Sequence, residues 1–313
     1  MPVIRMKQPF RFAAATTAVI AVSSPAWAFP QASEGKWDFS PFIAIPLLAA
    51  ATLYVVGTLR IAPSIRAGRW FSTLCFVLGW SSLVLALESP IHEIGEQLFW
   101  VHMVQHEILM LVSAPLIALG HPLTVSLFAF PESWRRPVSR LSRFKGIQAL
   151  ESWFTSPMSA WLISAAALWV WHLPWLFDRA VRIDWIHAAQ HTSFFLSALL
   201  FWNPLAGNKR TIGYGAGILY LFTTALHTSV LGALLTFAPR PWYHPYLVTA
   251  PLWHLTALED QQLGGLIMWI PAGSLLLIVA LGLLARWLQE SQMRWQYTDI
   301  AELAKRSSEG VIQ

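Results

Sequence analysis

Long apolar runs alternate with short polar stretches rich in proline, glycine and basic residues along this chain. Seven of the runs reach the length of about 20 residues that a helix needs to cross about 30 Å of hydrocarbon. They cover roughly 41–60, 70–88, 97–119, 157–177, 185–203, 213–237 and 263–287. The pattern predicts an all-α fold, a polytopic membrane helix bundle with about seven transmembrane helices. Pro46, Pro115 and Pro271 fall inside spans, where neighbouring helices of a bundle re-satisfy the carbonyls that proline frees. Residues 29–288 read as one seven-helix membrane domain, and 289–313, polar and mixed in charge, as a frayed cytoplasmic tail. Residues 1–28 read as a cleavable signal peptide. Arg5, Lys7 and Arg11 supply its basic start, Phe12–Ser24 an apolar stretch too short to span, and Ala26-Trp27-Ala28 the small-residue cleavage site.

Composition agrees with this picture. Of 313 residues, 56% are hydrophobic and 12% charged, about half the charge of a soluble domain. The net charge of +5 does not point to nucleic acid, because the basic residues collect in loops between apolar runs. One set of alternate connections holds 14 Lys and Arg, among them Arg60, Arg66, Arg69, Arg135, Arg136, Lys209 and Arg210. The other set holds 4, namely Lys36, Arg179, Arg182 and Arg240. The excess of positive charge on the cytoplasmic side then puts the N-terminus outside, as signal cleavage also does. Trp37, Trp100, Trp153, Trp175, Trp185, Trp202 and Trp242 fall near span ends, where amphipathic rings anchor at the interface. The single cysteine, Cys75, excludes a disulfide framework or a thiolate cluster within the chain.

Two strings carry the chemistry: His102-Met103-Val104-Gln105-His106 and His187-Ala188-Ala189-Gln190-His191. Each places two imidazoles one turn apart on one helix face. Spans three and five run in the same direction, so the pairs lie at matched depths in the outer third of the bilayer. His172, in span four, reaches the same level. His254 and Asp260 flank the start of span seven and are read with equal weight as ligands or structural caps. The candidate metal ligands are thus His102, His106, His172, His187, His191, His254 and Asp260, with Glu107, Gln105 and Gln190 as supporting groups behind them. Ionisable residues in spans are costly and cluster at sites or pathways, and neutral imidazole suits copper, zinc and iron. His121 and His227 read as single helix-to-helix ties, and His92 and His244 as solvated loop residues.

The strings HMVQHEILMLVSAPLIALGHP (102–122), WVWHLPWLFD (169–178), HAAQH (187–191) and EDQQLGGLIMW (259–269), in that order, resemble the CtaG-type cytochrome c oxidase assembly factors. The resemblance covers about residues 40–288. It is to the multi-span type, not to the single-span, cysteine-bearing copper chaperone that has shared the name. It implies a non-enzymatic protein of the bacterial cytoplasmic membrane that aids maturation of an oxidase metal centre through copper. Its partners would be cytochrome c oxidase subunits or other copper-handling assembly factors, with the lipid bilayer around it. The residues carried over are His102, His106, His172, His187, His191 and Asp260.

Two other readings fit the same residues. Histidines at matched depth on parallel helices are one way a membrane protein holds haem b, and paired HxxxH boxes also hold two metals in membrane enzymes. A zinc protease is disfavoured, because Met110 stands where the second histidine of HExxH belongs. No paired broken helices of a transporter are evident.

Overall fold

The structure, a computed structural model, describes residue 37 and residues 39–310 except 142 and 207–211. The expected signal peptide lies outside the described residues. In chain order the elements are α1 (Pro41–Arg60), α2 (Pro63–Ala67), α3 (Trp70–Glu88), α4 (Pro90–Gln97), α5 (Phe99–Glu107) and a π-helical segment (Ile108–Ser113). Then come α6 (Ala114–Gly120), α7 (Pro122–Leu127), α8 (Glu132–Leu141), α9 (Lys145–Phe154), α10 (Pro157–Trp171), α11 (Pro174–Arg182) and α12 (Asp184–Ala206). The chain ends with α13 (Tyr214–Thr236), α14 (Tyr246–Thr249), a 3-10 turn (Ala250–Trp253) and α15 (Ala257–Gly310). No strand occurs among the described residues.

Local chemistry sets the starts. Proline opens α1, α4, α10 and α11, where its fixed φ suits a first turn and its missing N–H costs nothing. Ser156 Oγ accepts the Ser159 N–H at 3.2 Å at the start of α10. Thr256 and Glu259 cap each other at the start of α15: Glu259 Oε2 accepts the Thr256 N–H at 2.8 Å and Thr256 Oγ1 accepts the Glu259 N–H at 3.2 Å.

Among the described residues, five helical runs are long and apolar enough to cross a membrane: α1, α3, the α5–π–α6 run Phe99–Gly120, α13, and Ala257–Trp295 of α15. The pair α10 and α11 passes as a sixth, bent by 78°. The seven expected spans therefore become five or six by length and composition. The run at 157–177 is broken because Pro174 follows Leu173, which is extended at ψ 126. Helix α12 has the length, 23 residues, but His187, Gln190, His191 and Asn203 lower its hydropathy. The last helix starts earlier than expected and continues to Gly310, so the segment expected to fray is helical there. Large apolar side chains such as Phe42, Leu48, Leu78, Phe222 and Leu281 face outward, as lipid contact requires and as a soluble surface avoids.

Two features hold the interior. Helices α13 and α15 cross closely at Gly232 and Gly265; a Cβ on Gly265 would lie 2.7 Å from the Gly232 carbonyl oxygen. In the π-helical segment the Ala114 N–H reaches back five residues to the Leu109 carbonyl. Pro115 has no N–H to offer the next carbonyl in that register, and the Met110 carbonyl instead accepts the Trp202 indole N–H at 2.9 Å. The segment is thereby tied to α12.

Candidate metal centre

Helices α5 and α12 each bring two histidines to one place. The ring centroids of His102 and His106 are 4.4 Å apart, and those of His187 and His191 are 4.3 Å apart. Across the helices, His102 faces His187 at 5.1 Å and His106 faces His191 at 5.1 Å. First meets first and second meets second, so the two helices run in the same direction, as the order of the spans predicts. The four imidazoles form a skewed quadrilateral, with His102 also 5.5 Å from His191 across its short diagonal, and each is buried.

Most of their nitrogens have no hydrogen-bond partner. Both nitrogens of His102 and of His106, and Nε2 of His187 and of His191, are buried and unpartnered. A buried polar atom without a partner costs about 1–3 kcal/mol, so a cluster of them calls for an explanation such as an ion. Two groups of three place one ligand atom from each histidine within 4.8 Å of the others: His102, His106 and His191, and His92, His187 and His191. The first group is fully buried; the second includes the half-buried His92. His191 belongs to both.

A neighbour fixes one imidazole in liganding form. Nδ1 of His172, at the bend after α10, donates to the Leu168 carbonyl at 2.7 Å. A carbonyl can only accept, so the proton sits on Nδ1 and the lone pair on Nε2, which has no partner. The His172 ring lies 6.3 Å from that of His106, and the Tyr243 hydroxyl holds the His172 carbonyl at 3.1 Å. On the other side, Glu96 Oε1 lies 3.7 Å from His187 Nδ1 and 3.9 Å from His92 Nε2. His187 beside it, and then His92, hold the Glu96 carboxyl below the usual carboxylate range against the opposing effect of burial.

Helix α4 was not expected to contribute. His92 reads from sequence as a solvated loop residue, but it sits on this helix and stacks on His187 at 5.0 Å. Gln105 Nε2 donates to His92 Nδ1 at 3.0 Å and to the Ala86 carbonyl at 2.7 Å, which ties α3, α4 and α5 together. The sequence does hold a signal for it: His92 and Glu96 are four residues apart, on one face of a helix. Gly95 lets that helix lie against α5, since a Cβ there would be 3.3 Å from His102 Cα.

Other expected residues fall elsewhere. Asp260 is spent on the start of α5: Oδ2 accepts the Phe99 N–H at 2.8 Å and Oδ1 the Trp100 N–H at 2.9 Å. Of the two readings left open for it, the geometry is that of a cap. His254 closes the 3-10 turn in the left-handed region at φ 58, its N–H on the Pro251 carbonyl at 3.1 Å. Neither is in the histidine groups. Gln190 is buried with neither amide atom partnered. Glu107 lines a cavity deeper in the bundle together with His227. His227 Nδ1 is unpartnered, which does not support the helix-to-helix tie expected of it. His244 pairs with Asp178 at 2.8 Å.

The chain is 24% identical over 271 residues to an uncharacterized protein of Mycobacterium leprae, covering 81% of this chain and 40% of that one. It is 25% identical over 265 residues to uncharacterized proteins of Mycobacterium bovis and Mycobacterium tuberculosis, covering 82% of this chain and 40% of each. The chain thus spans about two fifths of the curated relatives it matches. No solved structure matches it. The model of the cytochrome c oxidase caa3 assembly factors matches residues 52–290, most of the helices and every histidine of the cluster, and the chain belongs to that family.

Proposed function

We propose that this member of the family acts by handling copper at the histidine cluster for maturation of an oxidase metal centre, without catalysing a reaction. One observation carries the reading: two parallel helices converge four buried imidazoles, most of whose nitrogens lack partners. The donor set suits a divalent ion such as Cu(II) or Zn(II), because imidazole ligates in its neutral form. His102, His106 and His191 would hold the ion at the inner position, and His187 and His191 at the outer one, joined by His92 once the Gln105 amide leaves its Nδ1 lone pair. His172 stands ready beside the inner group, with its lone pair fixed on Nε2. Because His191 is common to both groups, one ion at a time is the natural load, with two positions to pass through.

In this reading α12 and the α10–α11 pair join the other five runs to make seven spans. The N-terminus is outside, and the cluster faces the periplasm of a bacterial cytoplasmic membrane. The count of 14 basic residues against 4 on alternate connections supports that orientation. The partners are an oxidase subunit or another copper-handling assembly factor. A haem b held by two of these histidines needs a slot as wide as its macrocycle between them; stacking of His102 on His187 at 5.1 Å speaks against it.

The test is metal analysis with an absorption spectrum on the protein purified in mild detergent. Copper near or above one equivalent without a Soret band is expected, with one equivalent lost in His106→Ala with His191→Ala while the protein stays folded. Unchanged metal content in that variant removes the cluster from the argument, and iron with a Soret band turns the reading to haem.

A further inference from the structure

One turn beyond His106, on the same helical run, the interior opens into a cavity of about 50 Å³. Its wall includes Glu107, Met110, Met268, His227, Thr224 and Thr228. The cavity lies between the α5–π–α6 run, α10, α12, α13 and α15. Met110 follows His106 by four residues, about 6 Å along a helix.

Three features set this cavity apart from a packing gap. Buried, unpartnered polar atoms from two different elements belong to its lining residues: Glu107 Oε2 and His227 Nδ1. Trp161 stands edge-on to the His227 ring at 5.4 Å and 89°, which fixes the plane of the imidazole. Two thioethers, from Met110 and Met268, join them. The volume takes an ion or a few waters and no organic substrate. The π-helical segment begins immediately after Glu107 and contains Met110, and such segments recur where a helix must aim side chains at a site.

We propose that this cavity is a second metal site, a Cu(I) site formed by Met110, Met268 and His227 with Glu107 at its edge. The choice of copper rests on the proposed function above. Thioether sulfur with one imidazole is a soft set that selects Cu(I), whereas the all-imidazole cluster above it suits the divalent ion. The two sites have separate ligands, so each can be removed alone.

The experiment uses the full chain in detergent, loaded anaerobically with Cu(I) alone and separately with Zn(II), and read by metal content and X-ray absorption. Cu(I)-loaded protein is expected to show sulfur scatterers around copper. Met110→Leu with Met268→Leu should abolish that sulfur shell and remove one equivalent of Cu(I), with Zn(II) content unchanged. His106→Ala with His191→Ala should remove the Zn(II) and keep the sulfur-ligated Cu(I). His227→Gln, which leaves both thioethers in place, should weaken Cu(I) at least tenfold and guards against a methionine variant that fails to fold. Copper surrounded by nitrogen and oxygen alone in the unaltered protein overturns the inference. So does a methionine variant, folded by circular dichroism, that binds as much Cu(I) as before. If that variant is unchanged while the histidine variant loses its metal, the second site fails and the proposed function stands. If the unaltered protein takes up neither Cu(I) nor Zn(II), both fail.

Discussion

Asp260 and Phe99 are 161 residues apart in sequence and joined by a hydrogen bond of 2.8 Å from the Phe99 amide to the Asp260 carboxylate. With the neighbouring bond to Trp100, the last long helix supplies the N-terminal cap that α5 lacks from its own residues; Leu98, at that position, has no side-chain acceptor. A carboxylate at a helix start also favours the local dipole. The cap fixes the helix three residues before His102.

This assigns Asp260 a holding role that can be separated from liganding. Asp260→Ala should cost about 1–2 kcal/mol, seen as a lower unfolding midpoint in detergent. Metal equivalents at saturating Zn(II) should be those of the unaltered protein. A folded variant that has lost an equivalent returns Asp260 to the ligand set.

Gln105 acts from behind the cluster. Its two amide hydrogens go to His92 and to the Ala86 carbonyl, so Gln105→Leu frees His92 and leaves a buried carbonyl without a donor. The same N–H occupies the Nδ1 lone pair that His92 needs to bind a metal, so Gln105→Leu should leave metal affinity unchanged or raise it. Competition titration with a chelator checks this at unchanged stoichiometry; a drop of about tenfold means that Gln105 supports a ligand instead.

The crossing of α13 and α15 leaves no room for a methyl group. A Cβ on Gly265 meets the Gly232 carbonyl oxygen and the Thr236 amide nitrogen at 2.7 Å, both backbone atoms that cannot turn aside. Gly265→Ala should therefore cost about 1–3 kcal/mol by overpacking. Gly282→Ala, inside α15 with nothing within 4 Å of the added Cβ, should not destabilise, since Ala is the better helix former. Equal midpoints for the two variants count against a close crossing.

His121, between α6 and α7, gives a pH dependence unconnected with metal. Burial, and then the positive charge of Arg69, push its imidazole below the ordinary histidine value of 6.5. The folded protein therefore binds this proton less readily than the unfolded chain. The neutral form carries no penalty above pH 6.5; stability falls as the pH drops from there through the lower folded value. Because His121 has φ 51, asparagine is the substitution that tolerates the backbone. His121→Asn should match the unaltered protein at pH 8 and exceed it at pH 5, by thermal midpoint. A difference independent of pH removes the titration from the account.

Much of this was legible in the chain. The limits of α1 and α3 follow directly from the apolar runs, and the two HxxQH strings lie face to face because a spacing of four stacks side chains on any helix. Pro174 breaks a run that hydropathy alone reads as continuous, because hydropathy is blind to a backbone that must be extended before proline. His92 was missed for a related reason: α4 is only eight residues long, below the length at which periodicity speaks, and its partners come from elsewhere in the chain. Asp260 shows a third limit. A carboxylate beside a histidine-rich region reads equally as ligand or cap until the amides of Phe99 and Trp100, remote in sequence, are found against it.

The π-helical segment between Glu107 and Ala114 sets the phase of everything beyond it. Each of its rings takes one residue more than an α-helical ring. The histidine end of the run can therefore look toward α12 while its far end, at Gly120, lies against Phe76 of α3. Deleting one residue there would turn the two ends by roughly 100° relative to each other. Helix length would barely change, yet one of the two packing partners would meet the wrong face. Exact residue count, more than residue identity, is what the packing of this stretch depends on.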